Sequence, residues 1–208
     1  MKRNQYTLGK PISFKGNGLH SGIPVTITMR PAPAGSGIIF RRIDLTGAPE
    51  VPAKSEFVTN TLRATTLERG GAKVFTVEHI LSALFALRID NCILEMDAPE
   101  PPVADGGALT FSQMILEAGI MELEEQTDIL TLETSVAVYE DNKFITALPY
   151  DGLRITFTSI NPHPLLGTQM KDFTIDKETY IREIAPSRTI GFTWELEAMR
   201  QMLSLIHI

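Results

Sequence analysis

The sequence contains one cysteine, Cys92, in 208 residues. No intramolecular disulfide framework is open to it, and a reducing compartment, the cytoplasm, is the simpler expectation. Long apolar runs are also missing. Nothing approaches the roughly 18 consecutive apolar residues of a membrane-spanning helix, and no apolar stretch of the signal-peptide type follows Met1-Lys2-Arg3-Asn4-Gln5. No transmembrane segment is expected, and any membrane contact is expected to be peripheral. There is no excess of positive charge: the formal net charge is -6 and the pI near 5.3, with Lys and Arg scattered rather than clustered, which argues against nucleic acid as a partner. No serine sits in a Gly-x-Ser-x-Gly strand-turn-helix context and Cys92 lies inside an apolar run, so neither supports a nucleophilic hydrolase. What is present is an ordinary globular composition, 43% hydrophobic and 21% charged, in a chain long enough for one large domain or two small ones.

Patterning along the chain predicts an α+β fold. Tyr6 to Phe14, a Gly16-Asn17-Gly18 turn signal and Val25 to Met29 read as an antiparallel opening, followed by a strand at Ile38 to Arg41 and a connection bracketed by Pro49 and Pro52. After Val74-Phe75 the period changes. Thr76 reads as an N-cap, and Val77, Ile80, Leu81, Leu84, Phe85 and Leu87 recur at helical spacing. Cys92 to Met96 reads as a buried strand, and Leu109 to Ala118 as a helix capped by Gly119. The acidic stretch Glu122 to Asp128 reads as a linker. This gives a first domain over 1–126 and a second over 127–208. In the second, Leu130 to Tyr139, Phe144 to Leu148 and Leu153 to Thr158 are predicted strands, with Glu178 to Ile184 and Trp194 to Leu203 as covering helices. The second half rhymes weakly with the first, as two tandem two-layer domains of similar topology would.

One local feature carries chemistry. Glu78 and His79 stand side by side at the start of the predicted helix. A helix N-terminus disfavours a protonated imidazole, which suits a metal-ligating histidine, and an activated water needs an adjacent carboxylate to take its proton. The His-Glu-x-x-His spacing is absent, and read on its own the pair is also what a solvated helix start shows.

Several motifs occur in order: Gly18-Leu19-His20-Ser21-Gly22, Arg30-Pro31-Ala32-Pro33, Thr76-Val77-Glu78-His79-Ile80-Leu81-Ser82-Ala83-Leu84, Asp90-Asn91, Glu100-Pro101-Pro102-Val103-Ala104-Asp105-Gly106 and Ser187-Arg188-Thr189-Ile190-Gly191-Phe192. Together they resemble the zinc-dependent UDP-3-O-acyl-N-acetylglucosamine deacetylases of lipid A synthesis. The resemblance implies two α+β domains with the site in the cleft between them. It implies Zn2+, one ion per complete chain, held by two histidines and an aspartate, and water directed at the N-acetyl carbonyl of UDP-3-O-acyl-N-acetylglucosamine. On this chain it maps a zinc ligand to His79, the general base to Glu78 and an oxyanion-stabilising hydroxyl to Thr189. His20, Leu62, Ala64 and Ile190 match positions near the substrate, and Leu62 and Ala64 are read as strand residues. Asp105 is read as a structural turn aspartate.

The chain departs from the family pattern in three places. Ile160-Asn161 stands where an acidic residue and an aromatic usually precede the His-Pro pair, Ile190 stands where Phe is common, and the His-Lys-x-x-Asp stretch that provides the remaining ligands is not found before Ile208. The expectation is a C-terminally truncated or frameshifted deacetylase whose second domain is incomplete and which is inactive by itself, with His207 an inert residue of an apolar tail. The rival reading is a non-catalytic α+β binding or scaffold domain.

Overall fold

The computed structural model describes residues 2–192. Trp194 to Leu203 and His207 lie outside the described residues. In chain order the elements are β1 Lys2–Leu8, β2 Ile12–Asn17, β3 Pro24–Pro31, β4 Ile38–Arg42, β5 Glu50–Pro52, β6 Val58–Asn60, β7 Thr66–Arg69, β8 Ala72–Phe75, α1 Glu78–Ala86, β9 Cys92–Met96, α2 Leu109–Ala118, β10 Ile120–Asp128, β11 Val136–Glu140, β12 Lys143–Ala147, β13 Arg154–Ile160, β14 Thr168–Thr174 and α3 Lys177–Thr179, which runs on as a π-turn over Tyr180–Ile184. The class is α+β, as predicted.

The central sheet has the order β2-β3-β9-β4-β5, antiparallel except where β4 lies parallel to β9. Alternation explains its buried face: Val25, Ile27 and Met29 of β3, Phe40 of β4, and Cys92, Leu94 and Met96 of β9 all point into one core. Ile80, Ala83 and Leu84 of α1 and Phe111, Met114, Ile115 and Ala118 of α2 join the same core. The predicted stripe of α1 is rotated slightly. Phe85 is 69% exposed, because the buried line runs through Ile80, Ala83, Leu84 and Leu87 and leaves the 81/85 line on its flank.

Several expectations are corrected. The opening strand is broken at Gly9-Lys10-Pro11, so Tyr6 to Leu8 belongs to β1 while β2 pairs with β3 across residues 18–23. Residues 50–52, read as a connection, form a short edge strand against β4. The stretch read as a linker is most of β10, which pairs antiparallel with β1 from Leu8↔Ile120 to Lys2↔Asp128. Its acidic side chains are accommodated because a two-stranded ribbon leaves them in water. Finally, Glu178 to Ile184 is helical as expected, within a helical run from Lys177, but its apolar residues do not serve a second sheet. Tyr180 and Ala185 are buried in the core built by α1 and α2, with Ile181 and Ile184 packed against it. The Tyr180 hydroxyl is 2.8 Å from that of Ser82, and Ala108 donates its N–H to Ala185 O at 3.0 Å.

The strands beyond residue 128 form two hairpins, β11–β12 and β13–β14. Leu130 to Ser135, read as part of a strand, is not in one, while β14 was not foreseen.

Candidate active site

The chain enters α1 through an unusual turn. Thr76 takes φ +58, a left-handed conformation that β-branched residues rarely adopt. It is not the N-cap: Val77 occupies that position without a side-chain hydrogen bond, and Leu81 donates its N–H to Val77 O at 3.0 Å. The Thr76 hydroxyl donates instead to Glu100 Oε1 at 2.7 Å. Capping preference is a local rule, and a long-range acceptor has overridden it.

Glu100 is fully buried, and a carboxylate out of water must have its oxygens bonded. Besides Thr76 it accepts the His20 N–H at 3.0 Å and the Ser21 N–H at 2.8 Å. Gly18 is required by this packing, since a Cβ there would collide with Glu100 Oε2 and Ser21 Oγ. The half-buried His20 thereby sits in a turn joined through Glu100 to the start of α1.

Glu78 and His79 are the first two residues of α1, both half-buried. Glu78 Oε2 accepts the Thr65 N–H at 3.1 Å, which ties it to the loop between β6 and β7. Leu62 and Ala64 lie in that loop rather than in a strand. Leu62 is 80% exposed and Ala64 half-buried, and Leu62 donates its N–H to Asn60 Oδ1 at 2.7 Å. Thr189 is held on another loop, where its N–H donates to Gly106 O at 2.9 Å. Gly107 permits this docking, because a Cβ there would press on Ser187 O and Ala185 O. The Thr189 side chain is exposed, as is that of Ile190, at 67%. Asp105 accepts the Thr110 N–H at 3.2 Å, a structural bond at the entry to α2.

Among the described residues no group of three or more His, Cys, Asp or Glu is placed to hold a metal ion. A catalytic zinc takes three protein ligands, so the described residues alone do not fit one; His79 offers a single donor. Cys92 does not add to it. Burial pushes its thiol up to about 12, leaving it protonated at neutral pH and unsuited to ligation or attack.

Sequence reasoning quoted Glu100 only as part of a motif and missed its role. A signal existed: an acidic residue among prolines, Pro99-Glu100-Pro101-Pro102, in an otherwise apolar stretch. Tyr180, whose ring and hydroxyl anchor the 180–189 segment on α1, carried no comparable signal.

The family model described as LpxC, UDP-3-O-acyl N-acetylglycosamine deacetylase, matches residues 5–206. The chain belongs to this family. Among its LpxC-family relatives, the bifunctional enzyme LpxC/FabZ of Chlorobaculum tepidum is 44% identical over 199 residues, covering 94% of this chain and 42% of the relative. The UDP-3-O-acyl-N-acetylglucosamine deacetylase of Myxococcus xanthus is 42% identical, covering 96% of this chain and 63% of the relative. The deacetylase of the same name from Legionella pneumophila is 41% identical, covering 95% and 66%. The chain thus spans between about two fifths and two thirds of the length of these LpxC relatives. No helix among the described residues is long and apolar enough to cross a membrane.

Proposed function

We propose that the whole protein is a cytoplasmic zinc-dependent deacetylase of lipid A synthesis in a Gram-negative-type bacterium, removing the N-acetyl group from UDP-3-O-acyl-N-acetylglucosamine. The observation that carries this reading is the placement of Glu78 and His79 as the half-buried first residues of α1, inside a family match over residues 5–206. His79 would be one ligand of the zinc ion, the other ligands not being among the described residues, and a zinc ion held there would lower the proton affinity of water and polarise a carbonyl. Glu78 takes the proton of the attacking water; its Oε2 is already held by the Thr65 N–H, which fixes the carboxylate's direction. Thr189 donates a hydrogen bond to the developing oxyanion from the segment docked on Gly106. His20, Leu62, Ala64 and Ile190 line the approach of the substrate, and any contact with a membrane is peripheral. The 208-residue chain, with one zinc ligand among its described residues, does not turn over by itself.

The test is a chimera in which residues 5–192 replace the matching region of the Myxococcus xanthus relative. The expected result is acetate release with one zinc per chain. Glu78→Gln should lower turnover by about 10²–10⁴-fold with zinc retained. A folded chimera that binds zinc but releases no acetate sinks the proposal in favour of a non-catalytic binding domain. Loss of zinc in Glu78→Gln makes Glu78 a ligand rather than the base.

A further inference from the structure

Among the described residues Glu100 is the only carboxylate that is buried, at 0% exposure. All its donors are neutral. Oε1 takes the Thr76 hydroxyl at 2.7 Å and the His20 N–H at 3.0 Å, and Oε2 takes the Ser21 N–H at 2.8 Å. A carboxyl group buried among neutral donors is an expensive way to fill space, since an apolar side chain of like volume usually packs as well or better. The arrangement has a geometric consequence that packing alone would not need. The donors come from two separate segments, the turn bearing His20 and the residue that launches α1. Thr76 is held at φ +58, and it stands two residues before Glu78, so its backbone sets where the helix begins and where the Glu78-His79 pair points. The same proline-rich segment is tied down on both flanks: Phe75 donates its N–H to Pro99 O at 3.1 Å and Val103 donates to Asn17 O at 2.8 Å.

We infer that Glu100 is a positioning residue for the Glu78-His79 pair, acting through Thr76 and registering the His20 turn against the start of α1. Its bearing on the reaction rests on the deacetylase reading above; the positional effect does not.

The experiment is 1H–15N NMR of the 208-residue chain, unchanged and as Glu100→Gln, which puts an NH2 group where an acceptor faced backbone N–H donors. Amide signals of His20, Ser21, Glu78 and His79 should shift several-fold more than those of the core residues Val51 and Leu94. In the double variant Glu100→Gln/Thr76→Gly, glycine adopts positive φ without strain, so Glu78 and His79 return toward their original signals while His20 and Ser21 stay displaced. Thr76→Val, which puts a methyl group in place of the hydroxyl, should move Glu78 and His79 more than the core residues Val51 and Leu94. The inference is overturned if Glu78 and His79 keep their signals while His20 and Ser21 move, or if core residues move as far and glycine brings no rescue. If Glu100→Gln does not fold, Thr76→Val decides: unmoved Glu78 and His79 refute it. No turnover is read, so a chimera that releases no acetate and a Glu100 that positions nothing are separate outcomes.

Discussion

Residues 2–118 and residues 129–174 are patterned alike and end up in opposite environments. In the first, alternating strands bury one side completely, as Ile27, Phe40 and Leu94 do. In the second, β11–β12 pairs Val138 with Ile145, and β13–β14 sets Ile155 opposite Phe173 with Phe157 on the same face. Yet these strands are exposed almost throughout. Alternation decides which side of a strand is apolar. Whether that side leaves water depends on a second layer, and a two-stranded hairpin has none of its own. The helical segment that follows the hairpins buries Tyr180 and Ala185 against α1 and α2 instead.

The sharpest way to break this comparison is a pair of truncations. Phe40→Ala removes a ring that is 0% exposed and should cost about 3–5 kcal/mol. Phe157→Ala removes one that is 64% exposed and should stay within about 0.5 kcal/mol. Urea denaturation followed by far-UV circular dichroism reads both. Equal losses would mean that the β13–β14 face is covered in solution. A smaller effect probes the tether that holds the helical segment after the hairpins on α1. Tyr180→Phe deletes the bond to Ser82, should cost about 0.5–1.5 kcal/mol, and should speed hydrogen exchange of the Thr189 amide bonded to Gly106 more than that of amides in β3. Unchanged exchange at Thr189 would show that the 185–189 segment docks without help from the ring hydroxyl.

Legibility followed sequence distance. The Cys92–Met96 strand and the Leu109–Ala118 helix, with Gly119 as its C-cap, could be read because period and cap are local. The Glu78-His79 pair could be read because its residues are adjacent. Features made by distant partners could not. β10 looked like a linker because its partner β1 lies at the other end of the first region. Thr76 looked like a cap because nothing nearby betrays that Glu100 takes its hydroxyl. Leu62 and Ala64 passed as strand residues because the neighbouring β6 and β7 are short and the bend between them is fixed by a bond from Thr65 to Glu78.

The smallest expected effect compares one interaction in both regions. Arg42 donates to Asp44 at 2.7 and 2.8 Å from a mostly buried side chain, and Arg154 donates to Asp172 at 2.6 and 3.0 Å from an exposed one. The Arg42 hydrogen bond, working against partial burial, holds the Asp44 carboxyl below its ordinary value. The Arg154 hydrogen bond, with that of the Thr156 hydroxyl, holds Asp172 at about 2. Both shifts are downward, so each contributes stability that is present above the unfolded carboxylate value of about 4 and is lost as pH falls through the folded one. For Asp172 that window runs from about 4 down to about 2. Salt separates the two pairs. At 1 M ionic strength the screening length falls to about 3 Å, which weakens the exposed pair more than the sheltered one. Titration of the two carboxyl carbons by NMR should therefore show Asp172 rising toward its ordinary value with added salt while Asp44 moves less. Equal movement would place the Arg42-Asp44 pair in water, and with it the edge of the first region's core.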